Sequence, residues 1–384
     1  MTIHIRPSES RLFKPLKVGN ETLQSRIVLA PLTRYRNSEE NVPLPIMTKY
    51  YADRGCVPGT LVISEATGPT KADEERPNAP GISSESQVEM WSKITDAVHA
   101  NDSFFFQQIW GLGRSADPAY LKKRGLDYVS SSAVAMAGKS ATPRAMTDAE
   151  IEAFIDSFVA GAKNAIRAGA DGVEVHGAHG YLIDQFLSDT VNQRTDRWGG
   201  SIENRARLLL EVVRRTAAAI GAERLAVRLS PFAGYQGALK SDIVSTYSYV
   251  VAELKKLSKP LAYLSLVEAR GDPEVLVLGV PGINLEKTLD FILEAWDNTS
   301  PVIVAGAYTP ETAAAAVEGR YAKWDVLVAF GRLFLANPDL VFRIQHDLPL
   351  NAYDRSTFYV PGSDTGYNSY PFSPDFLAQK TSRS

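Results

Sequence analysis

Short apolar runs rich in β-branched and aromatic residues alternate along the chain with longer stretches whose apolar positions recur every three or four residues. That alternation is the signature of buried parallel strands joined by amphipathic crossover helices. Eight such runs can be read, at 26–30, 61–64, 104–108, 172–176, 226–229, 262–266, 302–305 and 326–329. Eight strand–helix units predict an α/β fold closed into a single (β/α)8 TIM barrel, rather than an open doubly wound sheet. Ahead of the first run, residues 17–23 read as a short N-terminal hairpin capping the barrel bottom. Helix ends are marked by chemistry. Thr147-Asp148-Ala149-Glu150 forms a capping box before a periodic stretch reaching Ala168, and Gly169 suits its stop. Ser201 opens another long helix, and Thr309-Pro310-Glu311 puts proline at a first helical position. No linker, repeat or low-complexity tract divides the chain, so 1–384 reads as one domain with its core at about 12–372.

Composition narrows the function class. The chain has 384 residues, 45% hydrophobic and 22% charged, which suits a soluble globule with one large core. Its net charge is −3 with both signs interspersed, and Lys122-Lys123-Arg124 and Lys255-Lys256 read as solvated faces, so no nucleic acid partner is expected. The one cysteine, Cys56, excludes an internal disulfide, a Cys-based zinc site and a Cys-ligated iron–sulfur cluster. No stretch approaches the ~18 consecutive apolar residues of a membrane span, and the first residues lack the apolar region of a signal peptide. A cytoplasmic protein that does not engage a membrane is expected. The sequons at Asn20, Asn101 and Asn298 then read as chance matches.

In such a barrel the reactive groups sit at the C-terminal strand ends and in the loops that follow. The first run leads into Pro31-Leu32-Thr33-Arg34-Tyr35, the third into Gln108-Ile109-Trp110, the fourth ends on His176, and the fifth carries Arg228. A guanidinium in an apolar strand is costly unless paired, and Glu174 is a candidate partner. Gly306-Ala307 after the seventh run and Gly331-Arg332 after the eighth occupy the loops where these barrels bind phosphate. The segment His176-Gly177-Ala178-His179-Gly180-Tyr181 admits three readings. The histidines could ligate a metal with Asp184 or Glu174, as in a metal-dependent hydrolase, although His4, His99 and His346 add no ligand at a strand end. They could be satisfied by loop backbone, with Tyr181 in the core. Or both imidazoles could donate to a substrate oxygen while Tyr181, with an ordinary phenol pKa of ~10, serves as an acid. Gly111-Leu112-Gly113-Arg114-Ser115-Ala116 matches the loose dinucleotide fingerprint G-x-G-x-x-A, but Asp117-Pro118 argues for a loop over the barrel mouth where the fingerprint needs a helix.

Together these segments resemble the Old Yellow Enzyme family of FMN-dependent ene-reductases, particularly its fungal members. The resemblance rests on Leu12-Phe13-Lys14-Pro15-Leu16-Lys17-Val18-Gly19, Ala30-Pro31-Leu32-Thr33-Arg34, Tyr50-Tyr51-Ala52-Asp53-Arg54, Pro58-Gly59-Thr60-Leu61 and the stretch from His176 to Phe186. It continues through Arg194-Thr195-Asp196-Arg197-Trp198-Gly199-Gly200-Ser201-Ile202-Glu203-Asn204-Arg205, Phe330-Gly331-Arg332 and Tyr353-Asp354-Arg355-Ser356-Thr357-Phe358-Tyr359. The resemblance implies tightly but non-covalently bound FMN, with NADPH or NADH as reductant at the same site. Thr33 would contact the flavin O4, and Gln108 and Arg228 the pyrimidine edge. Ala66, Pro31 and Leu32 would line the ring cradle, and Gly306, Ala307, Gly331 and Arg332 would hold the phosphate. His176 and His179 would bind the carbonyl of an enone or enal. Hydride would go to the β-carbon and a proton from Tyr181 to the α-carbon, while Tyr35, Trp110, Tyr235 and Tyr359 line the pocket. No metal is implied, and monomers and homodimers both occur among relatives. The chain departs from many relatives in carrying His–His where they carry His–Asn, in Ala307, in Tyr235, and in a short lid at 271–282. A barrel that binds flavin without catalysing is a further reading.

Overall fold

The computed structural model describes residues 5–269 and 287–383; the lid at 271–282 and His4 lie outside them. All eight predicted runs are strands: β3 (Ile27–Leu29), β4 (Leu61–Ile63), β5 (Phe104–Ile109), β8 (Gly172–Gly177), β9 (Leu225–Leu229), β10 (Tyr263–Val267), β11 (Val302–Ala305) and β12 (Val326–Phe330). They pair in parallel and close into a barrel in the order β10-β11-β12-β3-β4-β5-β8-β9. Every barrel strand is followed by helix, including Ile46–Arg54, Glu85–His99, Asp148–Arg167, Ile202–Ile220, Ile243–Leu254, Asp290–Trp296, Pro310–Glu318 and Arg332–Ala336. Among the described residues no helix is long and apolar enough to cross a membrane.

Two hydrophobic layers hold this arrangement. Outward strand residues such as Phe105, Val173, Val227 and Leu264 pack on the helices with Trp91, Phe158 and Leu209. Inward residues Val28, Leu61, Ile63, Phe106, Ala226, Ile303 and Leu327 fill the barrel itself. The period-two alternation is what divides each strand between these layers. At the bottom, β1 (Leu16–Val18) and β2 (Glu21–Leu23) form the expected antiparallel hairpin, and their Val18 and Leu23 join the inner cluster. Gly19 sits at the turn with φ +57, where a Cβ would stand 2.2 Å from the carbonyl oxygen of Glu223, so the plug seats only with glycine there.

The capping boxes form as predicted at Thr147/Glu150, and a further one forms at Thr309/Thr312. The glycine-rich segment after β5 differs from its expectation in one respect. Only a three-residue 3-10 turn, Gly113–Ser115, opens at the glycines, and a seven-residue α-helix, Pro118–Arg124, follows with Asp117 as its cap. A Cβ on Gly111 would meet Phe154 at 2.5 Å and one on Gly113 would meet Gln185 at 2.2 Å, so these glycines serve helix packing rather than a phosphate cradle. The short parallel pair β6 (Val129–Ser130) and β7 (Arg144–Ala145) and the terminal helix Pro374–Arg383 carry no strong local pattern and were not expected.

Candidate active site

Strand register sets the floor of the site. Gln108 is paired with Glu174 across β5 and β8, and Arg228 lies beside His176 on one side and Ser265 on the other. All of them point into the barrel near its C-terminal end, where apolar filling gives way to polar groups. Gln108 Nε2 donates to Glu174 Oε1 at 2.6 Å. The expected Glu174–Arg228 ion pair is absent: Glu174 spends one oxygen on Gln108, and its other oxygen and Arg228 Nε are both buried without a hydrogen-bond partner. Glu174 still acts on Arg228 through space, but burial dominates and lowers the guanidinium's pKa. An almost buried cation left this way is expensive, of the order of several kcal/mol, unless a ligand satisfies it.

The segment after β8 builds the next layer. Its bend needs two consecutive left-handed residues, His179 (φ +56) and Gly180 (φ +72). A Cβ on Gly180 would lie 2.6 Å from the carbonyl oxygen of Tyr235, so glycine is required there for both conformation and space. The bend is pinned underneath. His179 N donates to Ser230 Oγ at 2.7 Å, and Gly180 N donates to Asp184 Oδ2 at 2.8 Å. Asp184 in turn forms a wholly buried ion pair with Lys240 at 2.8 Å. Asp184 is therefore committed to the turn and Glu174 to Gln108, which removes both from a metal set. Among the described residues no group of three or more His, Cys, Asp or Glu could hold a metal ion.

The protonation states follow from burial. His176 is pushed down to about 3, by burial first and the Arg228 charge second. Its Nδ1 accepts from the Ala178 amide at 3.3 Å, so the neutral ring carries its proton on Nε2 and offers it as a donor. Burial also holds His179 well below its usual value, with the charges of Arg228, His176 and Lys240 adding to the effect, and its Nε2 is buried without a partner. The Tyr181 phenol is raised above its ordinary value by burial, with Arg76 opposing the shift. Tyr181 packs edge-on to His176, ring centroids 5.0 Å apart, and 4.8 Å from Trp110. Two neutral imidazoles, one of them a donor at Nε2, and a protonated phenol thus stand together.

Depressing the His176 pKa carries a stability cost with a definite sign. Between its unfolded value of ~6.5 and about 3, the unfolded chain binds the proton and the folded chain does not. Stability is fully present above ~6.5 and falls as pH drops, by about 1.4 kcal/mol per unit for this group. The denaturant midpoint of wild type should therefore fall relative to that of His176→Asn between pH 7 and pH 5. Parallel curves would show that the imidazole is solvated.

The remaining predicted positions surround this centre. Pro31, Leu32 and Thr33 follow β3 and are half-buried, and Ala66 is buried after β4. Gly306 and Ala307, the latter with φ +54, follow β11 next to Gly331 and Arg332 after β12, the two strands being paired. Arg332 donates to Tyr353 Oη at 3.3 Å and forms no ion pair among the described residues. Trp110 is buried and Tyr35 half-buried, whereas Tyr359 is 59% exposed and lies at the rim, 5.9 Å from the Tyr35 ring. Tyr359 is carried by a strap that Arg34 and Arg36 hold down, both donating to the Phe358 carbonyl, at 3.0 and 2.9 Å. Sequence reasoning missed this clasp, the Asp184–Lys240 pair and Arg76. Only the Arg34-x-Arg36 spacing after a strand end hinted at the first.

The open valences suit a flat, polar-edged ligand with an anionic tail. Arg228 Nε is buried without a partner, the side-chain oxygen of Gln108 makes no hydrogen bond among the described residues, and Arg332, at the paired loops, forms no ion pair among them. These residues fit FMN. The comparisons agree. Residues 11–351 match the model of the NADH:flavin oxidoreductase / NADH oxidase family. The chain is 47% identical to a chanoclavine-I aldehyde reductase of Penicillium roqueforti over 96% of this chain and 98% of that one. It is 42% identical to a probable inactive reductase of Epichloe festucae over 97% and 98%. Among solved structures, the Old Yellow Enzyme of a Pichia species superposes with a TM-score of 0.87 at 40% identity, covering 96% of this chain and 95% of that one.

Proposed function

Because the chain belongs to the NADH:flavin oxidoreductase / NADH oxidase family, we propose that it is an FMN-dependent ene-reductase. It would take electrons from NADPH or NADH and saturate the C=C bond of an α,β-unsaturated aldehyde or ketone. The observation that carries this reading is the pairing of buried Arg228, its Nε without a partner, with the neutral imidazoles of His176 and His179 and the protonated phenol of Tyr181. A metal site would want imidazole lone pairs aimed inward; here the His176 ring presents N–H.

The chemistry that FMN supplies when bound is hydride transfer, from the nicotinamide to the ring and from the ring to the substrate. Thr33, Gln108 and Arg228 would hold the polar edge of the cofactor, and Arg228 would favour the extra negative charge of its reduced form. Pro31, Leu32 and Ala66 would bound its faces, and Gly306, Ala307, Gly331 and Arg332 its phosphate. His176 Nε2–H and His179 would grip the substrate carbonyl and stabilise the enolate-like charge that builds on it. Tyr181 would give its proton to the α-carbon, in a pocket that Tyr35, Trp110, Tyr235 and Tyr359 enclose. The aldehyde named for the Penicillium relative suits an enal as substrate.

One titration tests the reading. The purified protein, reconstituted with FMN if needed, should be yellow, bleach with anaerobic NADPH, and recover its colour on adding a cyclic enone. Failure to bind FMN would end the proposal. The relative named as probably inactive favours one second reading, a barrel that holds FMN without turnover, and this would bleach or not but never recover with any enone.

A further inference from the structure

The loop after β4 brings to the mouth of the site a cation that forms no ion pair with any acid among the described residues. Arg76 Nη1 donates to Tyr35 Oη at 2.6 Å, and Nη2 donates to the Ser115 carbonyl at 3.2 Å. Among the described residues Arg76 forms no ion pair, and the carboxyl of its neighbour Glu75 accepts from the Leu112 amide at 2.5 Å. Burial raises the Glu75 carboxyl to about 8, with Arg76 among the opposing influences, so near neutral pH it is largely protonated and offsets little of the Arg76 charge.

The loop is rigidly placed. Asn41 Nδ2 donates to the Arg76 carbonyl at 2.9 Å, and Asn37 and Asn78 exchange side-chain-to-carbonyl hydrogen bonds, both at 2.9 Å. Lys139 and Arg114 crowd the same turn. Lys139 Nζ donates to the carbonyls of Arg114, Ser115 and Ala116, and Arg114 Nη2 to that of Gln236. Tyr35, whose phenol accepts from Arg76, keeps its own hydrogen to give, and it packs in the same small cluster as Trp110 and Tyr181. The Arg76 charge is felt at both Tyr181 and Tyr235.

A fixed guanidinium beside a free hydroxyl is the donor set that recognises carboxylate or phosphate oxygens. We propose that Arg76 and Tyr35 form an anion-recognition site at the mouth, taking a carboxylate or phosphate of a ligand whose reacting atoms lie at His176 and His179. The inference rests on the mouth being the acceptor and donor site proposed above. The anion has two possible sources, a carboxylate on the unsaturated acceptor or the phosphates of the nicotinamide nucleotide.

Paired ligands separate them. The FMN-loaded protein would be assayed with 4-oxo-2-pentenoate against neutral 3-penten-2-one as acceptor, and with NADPH against the phosphate-free 1-benzyl-1,4-dihydronicotinamide as donor. Arg76→Gln, which can keep a hydrogen bond to Tyr35, should cut kcat/KM about 10–100-fold for the charged member of one pair and under about threefold for its neutral member. Arg76→Lys should recover most of the loss. Loss confined to the acceptor pair assigns the site to the substrate, and loss confined to the donor pair assigns it to the nucleotide. Equal losses for charged and neutral members, or no loss for either charged member, would overturn the proposal. Calorimetry of benzoate against benzamide needs no turnover: wild type should prefer benzoate and Arg76→Gln should not. That preference would survive even if no enone were reduced, whereas its absence in wild type sinks the anion site alone.

Discussion

Tyr181→Phe should slow reoxidation of the NADPH-reduced protein by a cyclic enone about 10²–10⁴-fold, the range for losing a positioned general acid, while its reduction by NADPH changes by less than about threefold. On the proposed mechanism the two half-reactions differ because only the second moves a proton onto carbon. Tyr181 is equipped for that step. Burial keeps the phenol protonated across the physiological range. The T-shaped contact with His176 sets the phenol beside the group proposed to hold the carbonyl. Removing one hydroxyl from a ring packed edge-on against Trp110 leaves that contact intact, so the variant should fold and bind as wild type does. Stopped-flow absorbance of the two half-reactions reads the ratio directly. Tyr35 is the competing donor, since its hydroxyl hydrogen is also free. If Tyr35→Phe carried the loss and Tyr181→Phe did not, the acid would have been misassigned. Equal slowing of both half-reactions by Tyr181→Phe would make that residue structural.

How much of this was legible in the sequence follows from which interactions are local. The barrel could be counted from its eight strands because each is short, apolar and set between amphipathic helices. Caps at Thr147 and Thr309 depend on residues three apart, so they too were readable. The same rule located Gln108, His176 and Arg228, since position along a strand tells which side chains point inward and how near the C-terminal end they lie. What the strand pattern could not reveal was who pairs with whom. Glu174 looked like a partner for Arg228, yet the parallel register puts it opposite Gln108, and that choice leaves the arginine open for a ligand. The Arg34 and Arg36 clasp joins positions more than 300 apart, and its acceptors are backbone carbonyls, which every residue has and no sequence pattern marks. Arg76 escaped notice for a similar reason, because its functional neighbour Tyr35 sits on a different loop.

Lys240→Met should destabilise the protein by about 3–5 kcal/mol, the cost of leaving a buried charge without its partner. The Lys240 side chain is 1% exposed and that of Asp184 0%, so water cannot replace the lost cation. The pair also joins two loops of the site. Asp184 Oδ2 receives the Gly180 amide beneath the His179–Tyr181 bend, while Lys240 Nζ also donates to the Ala238 carbonyl in the loop that carries Tyr235. The damage should therefore reach function, raising KM for the enone as well as lowering the denaturant midpoint. A double variant tells charge from packing. Asp184→Asn with Lys240→Met removes both charges but keeps an oxygen for the Gly180 amide, and it should be more stable than Lys240→Met alone. Such a recovery would place the penalty in the stranded carboxylate, as expected for a buried pair whose attraction barely offsets its desolvation. If Lys240→Met instead cost under about 1 kcal/mol, the range of a surface ion pair, the loop after β9 must open enough for water to reach Asp184. In that case the His179–Tyr181 bend would owe its shape to Ser230 and Gly180 rather than to the ion pair beneath it.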